Sequence, residues 1–294
     1  MSRCARRGCG SSGWATALHP AGRTPRLSTV SASVPPSERS AATPAVARPA
    51  RSGPAVSEPA AVAEVAELAA AIRRAIEDAG DPTRAERERA YLKSDRRFVG
   101  CGVPAARRIV RTQLGEIGWP RSARHDDVAE LAAELWDGPF FECRRAAVEV
   151  LVRCVATLGV DDLSWVERWI RDGETWAIVD ELATHVVGPV FAADRSAVGG
   201  VLDRWAVDPD SFWVRRAAML ALLVPLRTSD EDWDRFCGYA VPLLGEREFF
   251  IRKAIGWILR DVSRRWPDPV RGFVAEHRER MSGVTLREAT KYLA

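Results

Sequence analysis

The chain has 294 residues, 47% hydrophobic and 28% charged, with a net charge of +3. That is enough apolar material for a sizeable core in one large or two small domains. No run of about 18 apolar residues occurs, so a transmembrane helix is not expected. The six cysteines form no CxxC pair or secreted framework, and the four histidines are scattered. These counts fit reduced thiols in a cytoplasmic protein that needs neither metal nor cofactor.

The charge is unevenly placed. Residues 1–57 hold eight arginines against one acid, Glu38, which makes that segment +7 and leaves −4 for the rest. A mildly acidic body cannot hold DNA by bulk charge; its basic residues would have to be sorted onto one face. Residues 1–57 are rich in Ala, Ser, Pro, Gly and Arg and show no apolar periodicity. Such a segment buries too little to offset its ordering entropy, so a disordered extension is expected, with the folded domain at 58–294.

From about residue 58 the pattern becomes helix after helix. Residues 61–79 repeat apolar side chains at i, i+3 and i+4. Pro82-Thr83 opens a second helix that runs to about Lys93, and Gly100, Gly102 and Pro104 punctuate the chain before a third at 105–114. Further helices are predicted near 125–136, 140–157, 162–171, 175–187, 196–206, 211–224, 230–244, 248–265, 268–277 and 285–293. No segment alternates as a half-buried strand would. The helix pairs recur at roughly the 40-residue period of HEAT or armadillo units. The expected fold is therefore all-α, a HEAT-like solenoid whose inner helices line a concave surface.

Three of these helices carry chemistry-bearing residues. In the helix around 175–187, Ile178, Val179, Leu182 and Val186 make an apolar stripe, while Trp176 and Asp180 lie one turn apart on another face. An indole beside a carboxylate suits the holding of a cation. The same pair also fits a half-buried core Trp with a solvated Asp. In the next, Val214, Ala217, Ala218 and Ala221 pack inward, and Arg216 leaves by another face. It is read as a guanidinium projecting toward phosphate, or as a surface arginine paired with an acid. In the third, Ile251, Ala254, Ile255, Ile258 and Val262 form the core stripe. Lys253, Trp257, Arg260 and Arg264 then make one cationic stripe with a Trp inside it, a reasonable nucleic-acid surface or a solvated face.

Taken in order, these stretches resemble the AlkD-like DNA alkylation repair family of HEAT-like repeat glycosylases, from about residue 85 to the C-terminus. The resemblance begins at Tyr91-Leu92-Lys93, Phe98-Val99-Gly100 and Pro104-Ala105-Ala106-Arg107-Arg108. It continues through Leu135-Trp136-Asp137 and Trp176-Ala177-Ile178-Val179-Asp180. It is most specific at Trp213-Val214-Arg215-Arg216-Ala217-Ala218 and at Phe249-Phe250-Ile251-Arg252-Lys253-Ala254-Ile255-Gly256-Trp257, and it closes on Leu286-Arg287-Glu288-Ala289. The resemblance implies that Asp180 is the catalytic aspartate and that Trp176 and Trp257 are the tryptophans of the lesion cleft. It implies that Arg216 meets the DNA backbone and that Tyr91 takes the place of a tyrosine near the start of the repeats. Thr175 and Ala177 depart from the Trp-Trp-Asp run of the family. The surface is also arginine-rich, with Lys93, Lys253 and Lys291 the only lysines.

The expected activity is excision of cationic N3- and N7-alkylated purines from double-stranded DNA by a monomeric glycosylase without metal or cofactor. Asp180 would stabilise the oxocarbenium character of the departing sugar. Arg216, Tyr91, Lys93, Lys253 and Arg260 would meet the DNA. The family resemblance implies that the base need not enter a pocket. The competing expectation is a non-catalytic helical scaffold that binds DNA or protein.

Overall fold

The computed structural model describes residues 58–293, with side chains from residue 64 onward. The predicted extension at 1–57 lies outside the described residues. The described residues are helical throughout and include no strand. In chain order the helices are α1 (Glu58–Asp78), α2 (Pro82–Leu92), α3 (Val103–Glu116), α4 (His125–Trp136), α5 (Phe141–Arg153), α6 (Leu163–Asp172), α7 (Trp176–Glu181) and α8 (Gly188–Ala193). They continue as α9 (Arg195–Ala206), α10 (Phe212–Leu220), α11 (Leu223–Leu226), α12 (Trp233–Leu243), α13 (Phe249–Val262), α14 (Pro267–His277) and α15 (Gly283–Ala289).

These helices form two layers. α3, α5, α7, α10, α13 and α15 pack against one another in that order and make the inner layer. α4 backs α5, α9 backs α10, and α12 and α14 back α13. The inner helices α5, α7, α10 and α13 start 35, 36 and 37 residues apart. The repeat is thus slightly shorter than the expected period, because the connections are only a few residues long.

The apolar stripes explain the stacking. Val214, Ala217 and Ala218 of α10 and Ala221 just past its end are fully buried, and so are Ile251, Ala254, Ile255 and Ile258 of α13. Each such aliphatic side chain contributes about 1.5–3 kcal/mol when removed from water, and alanines let neighbouring helices approach closely. Gly256 is the tightest of these approaches. A Cβ there would come within 2.8 Å of the Glu288 Cβ on α15.

Local departures from the predicted helices have physical causes. The helix expected to stop at 187 runs through α7 and α8 to Ala193, across a π-helical turn at Leu182–Val187. Pro189 has no N–H, and its ring would collide with the carbonyl four residues back in a regular helix. The wider turn, in which the Gly188 N–H donates to the Ala183 carbonyl, removes that conflict. The helix expected at 140–157 ends at Arg153 and gives way to a single 3-10 turn at Val155–Thr157. Between α2 and α3, Gly100 sits at φ 83°, and a Cβ there would come within 2.0 Å of the Asp81 carbonyl oxygen. Only glycine fits that crossing. The fully buried Glu142 carboxylate fastens the loop by accepting the N–H groups of Val99 at 3.2 Å and Gly100 at 2.7 Å.

Candidate active site

Thr175 caps α7: its hydroxyl accepts the Ala177 N–H at 3.0 Å. The position that departs from the family pattern therefore supports the helix that carries both Trp176 and Asp180. Trp176, on the first turn, remains 36% exposed. One turn later Asp180 is nearly enclosed, with 13% of its side chain accessible. The π turn begins two residues further on, and the Thr184 hydroxyl donates to the Asp180 carbonyl at 2.6 Å. A threonine bonded back to a carbonyl four residues earlier often bends a helix.

Arg216 of α10 meets Asp180 face to face. Its Nε and one terminal nitrogen donate to the two carboxylate oxygens, both at 2.7 Å, and its other terminal nitrogen donates to the Phe250 carbonyl. Two parallel N–H donors match an ionised carboxylate better than a protonated one. Burial pushes the Asp180 carboxyl above its ordinary value, while hydrogen bonding and charge from Arg216 pull the other way.

This geometry corrects the expectation for Arg216. The side chain does not project from a free face; Arg216 is 3% exposed. α10 is enclosed between α7 with its π turn on one side and α13 on the other. The face that carries Arg216 therefore looks into a helix boundary, where it meets the Asp180 carboxylate rather than solvent.

The cationic stripe on α13 is also partly covered. Lys253 and Arg260 both donate to Glu288 of α15, which closes over them at Gly256. Their side chains keep 38% and 26% of their accessibility, so they remain within reach of a ligand. The pairing holds the Glu288 carboxyl below its ordinary value, hydrogen bonding from Lys253 contributing most. Trp257 is half-buried and packs against the core. Among the described residues no hydrogen bond or ring contact joins it to Trp176 or Asp180. Arg264 is exposed and lies over the Tyr292 ring, 4.3 Å from its centroid.

Tyr91 and Lys93 lie at the end of α2, a helix with no buried residue. Tyr91 is 72% exposed and meets Trp176 edge to face, with ring centroids 6.0 Å apart. Lys93 is exposed and takes a left-handed conformation, φ 52°, that ends the helix. The structure thus joins Tyr91 to Trp176 and Asp180 to Arg216, while Lys253 and Arg260 share Glu288. Arg107, which pairs with Glu181 at 2.8 Å and with Glu149 at 3.4 Å, and Glu288 itself were not anticipated. A signal for the ion pairs was present in the spacing. Asp180–Arg216 and Lys253–Glu288 are 36 and 35 residues apart, one structural repeat.

The comparisons with known proteins bear on the family and the fold. A family model described as DNA alkylation repair enzyme matches residues 72–293. The chain belongs to this family. Its role therefore lies in the repair of alkylation damage. Among solved structures, it is similar to a predicted DNA alkylation repair enzyme from Enterococcus faecalis, at 22% identity and a TM-score of 0.63, over 73% of this chain and 97% of that one. It is also similar to AlkD2 from Streptococcus mutans, at 16% identity and a TM-score of 0.49, over 71% of this chain and 97% of that one. At 22% identity the likeness to the Enterococcus faecalis protein concerns the fold alone. No curated protein matches the chain. Among the described residues no helix is long and apolar enough to cross a membrane, and no cluster of His, Cys, Asp and Glu could hold a metal ion.

Proposed function

We propose that the protein is a monofunctional, monomeric DNA glycosylase that removes cationic N3- and N7-alkylated purines from duplex DNA. The observation that carries this reading is the enclosed Asp180 carboxylate, held in a two-point contact by Arg216 one turn from the exposed Trp176. In an alkylated purine nucleotide the base already carries positive charge. When the bond from C1′ to the base nitrogen breaks, its electron pair leaves with the base, which becomes neutral, and the sugar gains oxocarbenium character. Asp180 stabilises that charge and orients a water. The water oxygen bonds to C1′ and its proton passes to solvent, leaving an abasic site. A carboxylate already held by fixed donors needs little rearrangement as the charge develops.

Trp176 and Trp257 offer aromatic faces to the sugar. Lys253, Arg260, Lys93 and Tyr91 meet the backbone, where contacts position the duplex without reading its sequence. Arg216 acts through Asp180 and does not touch phosphate. No lysine accompanies Asp180, so the product is a plain abasic site without strand cleavage.

A non-catalytic scaffold is the second reading. The closed Asp180–Arg216 pair is what favours it, since buried pairs of this kind also serve only as links between repeats. Incubation with duplex DNA bearing N7-methylguanine separates the two. Free 7-methylguanine together with abasic sites is the expected result. Retention of the same DNA with no base released would establish the scaffold and overturn the glycosylase.

A further inference from the structure

Arg107 ties three inner helices together. From α3, one of its terminal nitrogens donates to Glu181 of α7 at 2.8 Å, and its Nε lies 3.4 Å from Glu149 of α5. Glu149 is also held by Arg153 at 2.8 Å. Glu181 has no such second cation: among the described residues Arg107 is the one it pairs with.

Glu181 directly follows Asp180. Successive residues of a helix point about 100° apart, so the two carboxylates leave α7 toward different neighbours. Asp180 turns to Arg216 on α10, and Glu181 turns to Arg107 on α3. Each is met by one guanidinium. The second pairing matters to the first, because like charges side by side oppose ionisation. Burial is the largest influence on the Asp180 carboxyl and raises it, and the Glu181 charge raises it further. The other charged groups on the helices packed against α7 have partners of their own: Arg144 pairs with Asp172, Arg145 with Glu88 and Arg215 with Glu246, while Glu142 holds the loop before α3. His185 stands exposed on the π turn.

We propose that Arg107 is a positioning residue for base excision: by pairing with Glu181 it offsets the like charge beside Asp180 and keeps the Asp180–Arg216 pair ionised and closed. The inference rests on the glycosylase reading, which supplies the reaction. The link from Arg107 through Glu181 to Asp180 can also be read without catalysis. Arg107 touches neither the sugar nor the base in this role. Its side chain and that of Glu181 keep 46% and 37% of their accessibility, so the effect is moderated by water.

The test is the pH profile of single-turnover 7-methylguanine release from methylated duplex DNA, measured beside the titration of the Asp180 carboxyl carbon by nuclear magnetic resonance. The Asp180 signal is the one absent from Asp180→Asn. In Arg107→Gln the Glu181 charge is left unmatched and Asp180 is harder to ionise. The acid limb of the profile and the titration should both move to higher pH. Release on the acidic side should fall about two- to fivefold, the scale of one partly exposed ion pair. Glu181→Gln should move both to lower pH. Arg107→Lys keeps the charge and should restore the parent profile, and Arg107→Gln/Glu181→Gln should return close to it. His185 is present in every variant and cancels in the comparison. A merely structural clamp predicts something else: Arg107→Gln would melt earlier and release base more slowly by one factor at every pH, with limb and titration in place. That result overturns the inference, as does a double variant shifted as far as Arg107→Gln. If Arg107→Gln does not fold, Glu181→Gln decides, and an unmoved Asp180 titration there overturns the inference. Titrations that move while no DNA releases base uphold the link to Asp180 and sink the glycosylase. Base release with every limb and titration unmoved leaves the glycosylase standing and sinks the link.

Discussion

Two carboxylates that pair with cations on a neighbouring inner helix behave differently in this molecule. Asp180 meets Arg216 between helices, with 13% and 3% of the two side chains accessible. Glu288 meets Lys253 and Arg260 where 38% and 26% of the cations remain accessible. Both pairs join neighbouring inner helices. In the first, removing either partner leaves a charge stranded away from water, which costs far more than the pair contributes in net stability. In the second, water can replace the lost partner, so the cations are available to an outside anion. Burial, not spacing, decides whether such a pair is a fixed link between helices or an exchangeable surface.

The largest effect should come from stranding Asp180. Arg216→Met is expected to lower stability by about 3–5 kcal/mol, the scale for half of a buried pair. The double variant Asp180→Leu/Arg216→Met should recover most of that loss in urea unfolding. A single variant as stable as the parent would show that the pair is effectively solvated and would erase the contrast with Glu288.

Next in size is the chemical step. Asp180→Asn should slow single-turnover base release by about 10²–10³, or about 2.7–4 kcal/mol. The substitution also strips the buried Arg216 of its counter-charge, so release must be measured below the variant's own melting temperature. The proposed reaction needs Asp180 ionised. Because burial raises its carboxyl above the ordinary value, activity should fall as pH drops through that raised value and persist above it. Release within a few-fold of the parent would remove Asp180 from the mechanism.

The open pair predicts smaller changes in binding. Lys253→Ala and Arg260→Ala should each weaken binding to damaged and undamaged duplexes alike and flatten the salt slope by about one unit. Glu288→Gln should do the reverse, because it frees both cations. Unchanged affinity in all three variants would take the DNA face away from α13.

The smallest effect belongs to a partly exposed histidine on the outer layer. His125 hydrogen-bonds to Asp126 and to the buried Asp162, both at 2.9 Å, and both bonds raise its pKa above 6.5. A raised histidine contributes stability that is complete below its unfolded value and is lost as pH rises through the folded one. Half-exposed as it is, the contribution should amount to a few tenths of a kcal/mol. Thermal melts of the parent and His125→Gln should therefore diverge at low pH and converge at high pH; equal gaps throughout would show that the imidazole charge is irrelevant.

Much of this was legible in the chain. Apolar side chains at helical spacing located the helices, and the buried stripes of α10 and α13 are the ones the pattern predicts. Helix ends were legible where a cap or proline marks them, as at Pro82 and Thr175. The continuation through Pro189 was not, because a proline inside a helix depends on whether the preceding turn can widen.

The candidate residues divide along the same line. Trp176 and Asp180 share a face because they are one turn apart in a single helix, and that follows from sequence alone. The orientation of Arg216 does not. Helical spacing places a side chain around its own axis, but which neighbouring helix lies against that side depends on packing across 36 residues of chain. Sequence read Arg216 as reaching outward and Lys253 and Arg260 as an uncovered stripe. The tertiary structure places Asp180 and Glu288 against them, because charged groups enclosed between helices take the nearest opposite charge in place of the water they lose.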